Sequence, residues 1–199
     1  MARAQALIGG ETIHPMLRAL WSPRLIEAVG WIVGEMAQDR SAGRMPNLAE
    51  QSGEGEVAGV SLYGRVDRID RMPGGNLAII DYKTGQAPAK KAVREGFALQ
   101  LGLLSLIAAG GGFGDIKGEA RAHEYWSLAK KNGIFGYRQS PDKDDGAVAF
   151  VERAHAQFSA LAADYLLGTK EFTAKLNPAY APWGDYDQLM RLEEWYGRR

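Results

Sequence analysis

Cysteine is missing from this chain of 199 residues. Its absence excludes disulfides, cysteine-bound zinc, cysteine-held iron–sulfur clusters and a cysteine nucleophile. The net charge is zero, because 24 basic side chains balance 24 acidic ones. A polyanionic partner would therefore have to bind to a local basic patch. No apolar run reaches the roughly 20 residues of a membrane span, and the N-terminus lacks the apolar stretch of a signal peptide. We therefore expect a cytoplasmic protein without a membrane segment.

The residues that are present favour an ordinary globular fold. Hydrophobic residues make up 46% of the chain, enough for a core that needs no metal or disulfide to hold it together. Apolar spacings of three and four predict a helix over about 23–40, with Ser22 as its N-cap and Pro23 at its first position. Further patterns predict helices over 90–109 and 146–167, and strands over 48–51, 57–70, 77–83, 120–128 and 135–138. This order predicts an α/β fold with a central mixed sheet flanked by helices.

Two of these strands carry the residues of chemical interest. The segment G-R-V-D-R-I-D at 64–70 closes one strand, and I-I-D-Y-K-T-G at 79–85 closes the next. The glycine-rich segment between them predicts a hairpin, because glycine and asparagine supply the positive φ that such turns need. Side chains alternate along a strand, so Asp81 and Lys83 should share a face, and the hairpin should bring Asp67 beside Asp81.

This grouping of residues suggests a metal site. Two carboxylates a few ångströms apart repel each other unless a cation lies between them. Oxygen ligands without cysteine or histidine favour Mg²⁺ or Mn²⁺ over zinc. Phosphodiester hydrolysis needs an oriented water and compensation for the charge that builds on the phosphate, and an adjacent lysine can serve either need. The hypothesis is a metal held by Asp67 and Asp81, with Lys83 serving the water and the phosphate.

Each candidate residue also has a plainer interpretation. An aspartate and a lysine two apart on a strand are often a surface ion pair worth about 0–1 kcal/mol. Arg65 and Arg68, the candidate substrate contacts, would follow a phosphate backbone or form an ordinary solvated surface. Glu50 is a weaker candidate metal ligand. His123 is a candidate DNA contact for which a structural, hydrogen-bonded role is favoured.

The two motifs, followed by a helix bearing Gln100 and Leu101, resemble the RecB-type nuclease branch of the PD-(D/E)XK superfamily. Flanking segments narrow the resemblance: W-S-P-R at 21–24, Y-W-S-L at 125–128 and R-L-E-E-W at 191–195 are similar to the C-terminal nuclease domain of AddB, a subunit of the alphaproteobacterial AddAB helicase–nucleases. The resemblance covers about 20–196. We expect 21–199 to form the nuclease domain, and 1–20 to be its truncated start.

The resemblance implies a restriction-endonuclease-like fold and a Mg²⁺-dependent DNA exonuclease, with Mn²⁺ as a possible substitute and no iron–sulfur cluster. It implies a role in double-strand-break repair, on single-stranded DNA or DNA ends, with an AddA-like helicase–nuclease subunit as partner. Asp67 and Asp81 match the family's metal-binding acids, and the Tyr82 carbonyl would add a ligand. Lys83 and Gln100 match its catalytic lysine and its helix glutamine.

The sequence departs from the family's pattern at two positions. Leu104 stands four residues after Gln100, where relatives often have tyrosine, and His14 precedes a proline and does not match the family's upstream helix histidine. Two alternatives stay open: a catalytically weakened DNA-holding module of the same complex, and a free-standing nuclease of the CRISPR-associated or phage type. The sequence has no G-x-x-x-x-G-K-[ST] motif, so DNA unwinding would fall to a partner.

Overall fold

A computed structural model of the chain describes residues 15–172, together with Tyr180 and Leu189. The elements, in chain order, are helix α1 (Pro15–Ser41), strands β1 (Met45–Val57), β2 (Val60–Arg71) and β3 (Leu77–Lys83), helices α2 (Lys90–Arg94) and α3 (Gln100–Gly110), strands β4 (Ala120–Lys131) and β5 (Ile134–Gln139), and helix α4 (Ala147–Leu161). A 3-10 turn (Pro73–Gly75) joins β2 to β3, and a π-helical turn (Ala162–Leu166) continues α4. The sequence also predicts a short helix near 186–195, and apart from Leu189 this range lies outside the described residues. Within the described ranges, no helix has the length and apolarity to cross a membrane.

The strands form one mixed sheet in the order β1-β2-β3-β4-β5. Strands β3 and β4 are parallel, whereas the other neighbouring pairs are antiparallel. The connection from β3 to β4 runs through α2 and α3. All of β3 from Leu77 to Asp81 is buried, as its continuous apolar run predicts for a strand covered on both faces. The predicted α/β fold with a central mixed sheet flanked by helices is confirmed.

The two faces of the sheet have separate cores. Helices α3 and α4 cover one face, around buried residues such as Ile79 and Leu101. Helix α1 covers the other face, where Trp31 meets Trp126 edge-on with ring centroids 5.6 Å apart. Because side chains alternate along β3, its successive residues contribute to these two cores in turn.

Several predicted element boundaries were wrong. Helix α1 begins at Pro15, and Pro23 lies inside it, because a serine–proline pair resembles a helix start even where the helix tolerates the proline. The strand predicted over 57–70 is divided between β1 and β2, since Ala58 and Gly59 form a tight turn with φ of 53° and 75°. The helix predicted over 90–109 is interrupted at Gly96 (φ 84°), which separates α2 from α3 and leaves Phe97 42% exposed. The predicted short strand over 48–51 is part of the longer β1.

A network of buried ion pairs ties the start of β1 to the centre of the sheet. Arg44 Nε donates to Asp70 Oδ2 at 2.8 Å, and Arg44 Nη1 donates to Glu124 Oε1 at 2.7 Å. Arg68 contacts both carboxylate oxygens of Asp70 at 2.5 Å. Arg138 Nη2 donates to Glu124 Oε2 at 2.7 Å. Asp70 is fully buried, so these guanidinium groups supply the hydrogen bonds that a buried charge requires.

Candidate active site

The carboxyl end of β3 brings three of the predicted site residues together. Lys83 Nζ lies 2.8 Å from Asp81 Oδ2 and donates to Gln100 Oε1 at 3.2 Å. Asp81 and Lys83 share a face because they are two apart on the strand, and Gln100 reaches them from the first turn of α3. The lysine side chain is 30% exposed and the aspartate side chain only 4%, so the pair lies at the boundary between the core and solvent.

Asp67 joins this group through a backbone hydrogen bond. The pairing between β2 and β3 ends at Arg68 and Ile80, so the two strands are no longer paired at Asp67. There Asp67 Oδ2 accepts a hydrogen bond of 2.7 Å from the backbone N–H of Tyr82. The predicted hairpin is confirmed, and it holds the two carboxylates on adjacent strands.

Burial dominates the electrostatics of Asp81. Desolvation raises the pKa of its carboxyl group above the usual value, Lys83 and Gln100 oppose the shift, and the charge of Asp67 adds to it. The Lys83 ammonium group, 2.8 Å away, is the charged partner of the buried Oδ2 atom of Asp81.

These features fit a divalent cation. A buried carboxylate whose charge is opposed by that of a second carboxylate is a place where a cation would lower the repulsion. The side-chain donors are oxygens from Asp67 and Asp81, which suit Mg²⁺ or Mn²⁺. In the part of the chain that the structure describes, no group of three or more acidic or histidine side chains is placed to hold a metal. The candidate site therefore rests on two carboxylates.

A groove of about 420 Å³ borders Asp67 on one side. Its lining includes Glu50, Asp67, Arg68 and Tyr82. Glu50 sits on β1 with a φ of 54°, between residues that pair with the neighbours of Asp67, and its carboxylate lies 2.6 Å from Arg65 Nη2. Both side chains of this ion pair are 62% exposed, so Arg65 lies at the surface near the candidate metal ligands. Its substrate contact stays a prediction, as does a metal role for Glu50.

Arg68 occupies a different environment from Arg65. It is only 4% exposed, contacts Asp70 and the Tyr82 hydroxyl group, and stacks over the Trp126 ring at 4.8 Å. The structure therefore gives Arg68 a full set of partners inside the protein, and the substrate contact assigned to it from sequence stays a prediction without a free guanidinium to support it.

His123 lies away from the site. It is fully buried, with Nε2 2.8 Å from Ser105 Oγ and Nδ1 2.8 Å from Asp142 Oδ2. The structural, hydrogen-bonded role favoured from the sequence is confirmed. The chain Ser105–His123–Asp142 links α3, β4 and the loop before α4.

Two parts of the site were missed by sequence reasoning. The Tyr82 backbone N–H donates to Asp67, whereas the family resemblance implies a role only for the carbonyl of this residue. Tyr125 pairs in parallel register with Asp81, and its buried hydroxyl group has no hydrogen-bond partner among the described residues. The only sequence signal for Tyr125 was its membership of the Y-W-S-L segment, which carries no information about strand register.

A comparison with models of protein families identifies the class of protein to which this fold and site belong. The model of the PD-(D/E)XK nuclease superfamily matches residues 3–182, so the chain belongs to this superfamily. Its mixed sheet flanked by helices is consistent with the restriction-endonuclease-like fold expected of such a protein.

Other similarities are distant. No curated protein matches the chain. Among solved structures, the crystal structure of SSO0001 is similar, with 16% sequence identity and a TM-score of 0.33, covering 78% of this chain and 70% of that chain. A likeness this weak carries no argument about the site. The superfamily match begins before residue 20, and the boundary expected between residues 20 and 21 lies within α1, so the division at that point stays a prediction.

Proposed function

We propose that this chain is a metal-dependent deoxyribonuclease domain that hydrolyses phosphodiester bonds as an exonuclease. The observation that carries the proposal is the arrangement at the carboxyl end of β3, where Lys83 pairs with Asp81 and the Tyr82 backbone N–H between them donates to Asp67. Membership of a nuclease superfamily supports the reaction class. The acidic pair supports the metal, because carboxylate oxygens are the ligands that Mg²⁺ and Mn²⁺ prefer.

The chain's own residues divide the work. Bound Mg²⁺ would polarise the phosphate and lower the pKa of a water molecule. Asp67 and Asp81 would hold the ion through carboxylate oxygens. Lys83 is held between Asp81 and Gln100, which places its ammonium group to orient the attacking water or to offset charge on the phosphate. Gln100 restricts a long side chain that would otherwise sample many rotamers.

Arg65 is the proposed contact for the phosphate backbone. It lies two residues before Asp67 on β2, so both side chains project from the same face of the strand. Its guanidinium is exposed, and its exposed ion pair with Glu50 is the kind that contributes about 0–1 kcal/mol, so a phosphate could displace the carboxylate.

The proposed setting is a cytoplasmic helicase–nuclease complex resembling AddAB, acting in double-strand-break repair. The chain would receive single-stranded DNA or DNA ends from an AddA-like subunit. The support for this setting is the set of flanking segments W-S-P-R, Y-W-S-L and R-L-E-E-W, together with the absence of a nucleotide-binding G-x-x-x-x-G-K-[ST] motif from the sequence.

A cleavage assay on linear single- and double-stranded DNA, with and without Mg²⁺, tests the proposal. Lys83→Ala should keep the fold yet lower the cleavage rate at least about 100-fold, since general acid–base and electrostatic groups contribute on this scale. Asp81→Ala should abolish Mg²⁺-dependent cleavage. Lys91→Ala is the matched control, because this lysine is 77% exposed and pairs only weakly with Glu95 at 3.7 Å. Full activity of Lys83→Ala, or cleavage that ignores Mg²⁺, would contradict the proposal.

A second candidate is a DNA-holding module of the same complex with a weakened active site. It is favoured by the two-carboxylate site and by Leu104, which is buried in the core where relatives often have tyrosine. Calorimetric titration with Mn²⁺ separates the two candidates. Binding that Asp81→Ala removes supports the nuclease, and no binding to the unmodified chain supports the module.

A further inference from the structure

Tyr125 forms one wall of the candidate active site. It pairs with Asp81 in the parallel register of β3 and β4, and it belongs to the core on the α3 side of the sheet. Lys83 Nζ lies 5.8 Å from the centre of the Tyr125 ring. The tyrosine therefore lies next to the ion pair of Asp81 and Lys83, although the catalytic roles proposed for these two residues do not involve it.

Tyr125 is fully buried, and its hydroxyl oxygen has no hydrogen-bond partner in the described part of the chain. Buried polar groups are nearly always hydrogen-bonded, so such an atom needs an explanation. The neighbouring residue across the strand pair is Asp81, whose buried Oδ2 atom lies 2.8 Å from the Lys83 ammonium group.

The Tyr125 hydroxyl group and the Asp81 carboxylate are chemically complementary. Burial and the negative charge of Asp81 raise the pKa of the Tyr125 hydroxyl group well above its ordinary value, so it stays a neutral hydrogen-bond donor. The Asp81 carboxylate is an acceptor. An ordered water needs two to four polar partners, and Tyr125, Asp81 and Lys83 would supply three.

We infer that Tyr125 is a positioning residue of the active site, whose hydroxyl group donates to Asp81 through one ordered water and fixes the orientation of that carboxylate when it holds a divalent cation. The inference rests on the proposed function, because Asp81 needs a fixed orientation only as a metal ligand. Residues that fix the orientation of metal ligands by hydrogen bonds typically change metal affinity 10- to 100-fold when they are removed. Phenylalanine would keep the ring and remove only the donor.

The experiment compares Tyr125→Phe with the unmodified chain, using Mn²⁺ alone as the probe. Calorimetry should show Mn²⁺ affinity about 10- to 100-fold weaker in the variant. The cleavage rate of Tyr125→Phe should recover as Mn²⁺ is raised, whereas that of Lys83→Ala should not.

Tyr137→Phe is the matched control. The Tyr137 hydroxyl group donates to Gln86 Oε1 at 2.7 Å and accepts from the Ala87 backbone N–H at 3.1 Å, so it has protein partners. Its removal should lower the melting temperature equally with and without Mn²⁺, and should leave Mn²⁺ affinity unchanged.

The outcomes separate the inference from the proposed function. Unchanged Mn²⁺ affinity in Tyr125→Phe would overturn the inference and leave the proposed function standing. If the unmodified chain fails to bind Mn²⁺, the proposed metal site falls and the inference falls with it.

Discussion

Arg44→Ala should destabilise the protein strongly without touching the candidate active site. The Arg44 side chain is 7% exposed and pairs with Asp70 and Glu124, which are buried themselves. Removing one partner of a buried ion pair typically costs about 3–5 kcal/mol, because the remaining charge is left uncompensated. Here Asp70 keeps Arg68, and Glu124 keeps Arg138, so we expect a loss near the lower end, about 3 kcal/mol. For a domain of this size that loss lowers the melting temperature by about 6–12 °C.

Urea unfolding followed by circular dichroism measures the loss. The matched comparison is Arg65→Ala, which removes an ion pair of similar length, 2.6 Å, whose side chains are both 62% exposed. That variant should lose about 0–1 kcal/mol, because water screens the exposed charges and solvates the partner left behind. If both variants lose the same free energy of unfolding, burial does not set the strength of these pairs and the reasoning is refuted.

Two further predictions concern stability. Gly102→Ala should lower the free energy of unfolding by about 1–3 kcal/mol, since the new Cβ would clash with the Cβ of Ala154 where α3 packs against α4. Gly110→Ala is the control in the same urea titration, because its new Cβ would have no atom within 4 Å. Burial acts to raise the pKa of Glu124, but Arg44 and other partners hold it below the usual 4.5, so its stabilisation is present above pH 4.5 and is lost as the pH falls through the lower folded pKa. Urea midpoints measured during acidification should fall less in Glu124→Gln; equal slopes would argue against this.

The sequence predicted best where one physical signal was dominant. The apolar run of β3 can be satisfied only by a strand covered on both faces, and both of its predicted ends are confirmed at Leu77 and Lys83. The glycine-rich turn before it requires positive φ, and Gly74 and Gly75 have φ of 83° and 85°. The turn at Ala58 escaped notice because alanine rarely adopts positive φ, so the pattern continued through it as one strand.

Charged residues were harder to place. Arg65 and Arg68 belong to the same motif and differ by three positions, yet one is exposed and the other is 4% exposed among carboxylates and aromatic rings. Alternation along a strand separates the two faces but does not say whether a face is covered, and the ring over Arg68 belongs to Trp126, which is distant in the sequence. Tyr125 depended on the parallel register across a long crossover, which local patterns do not encode.

The hydrogen bond between Asp67 and the backbone of Tyr82 has a consequence for how the sequence can vary. The donor is a main-chain N–H, so it exists whatever side chain occupies position 82, with proline as the sole exception. The spacing between the two acids is thus encoded by the path of the chain and not by the identity of the residue that separates Asp81 from Lys83. Substitutions at position 82 can alter the groove and the contact with Arg68 while the acidic pair keeps its geometry.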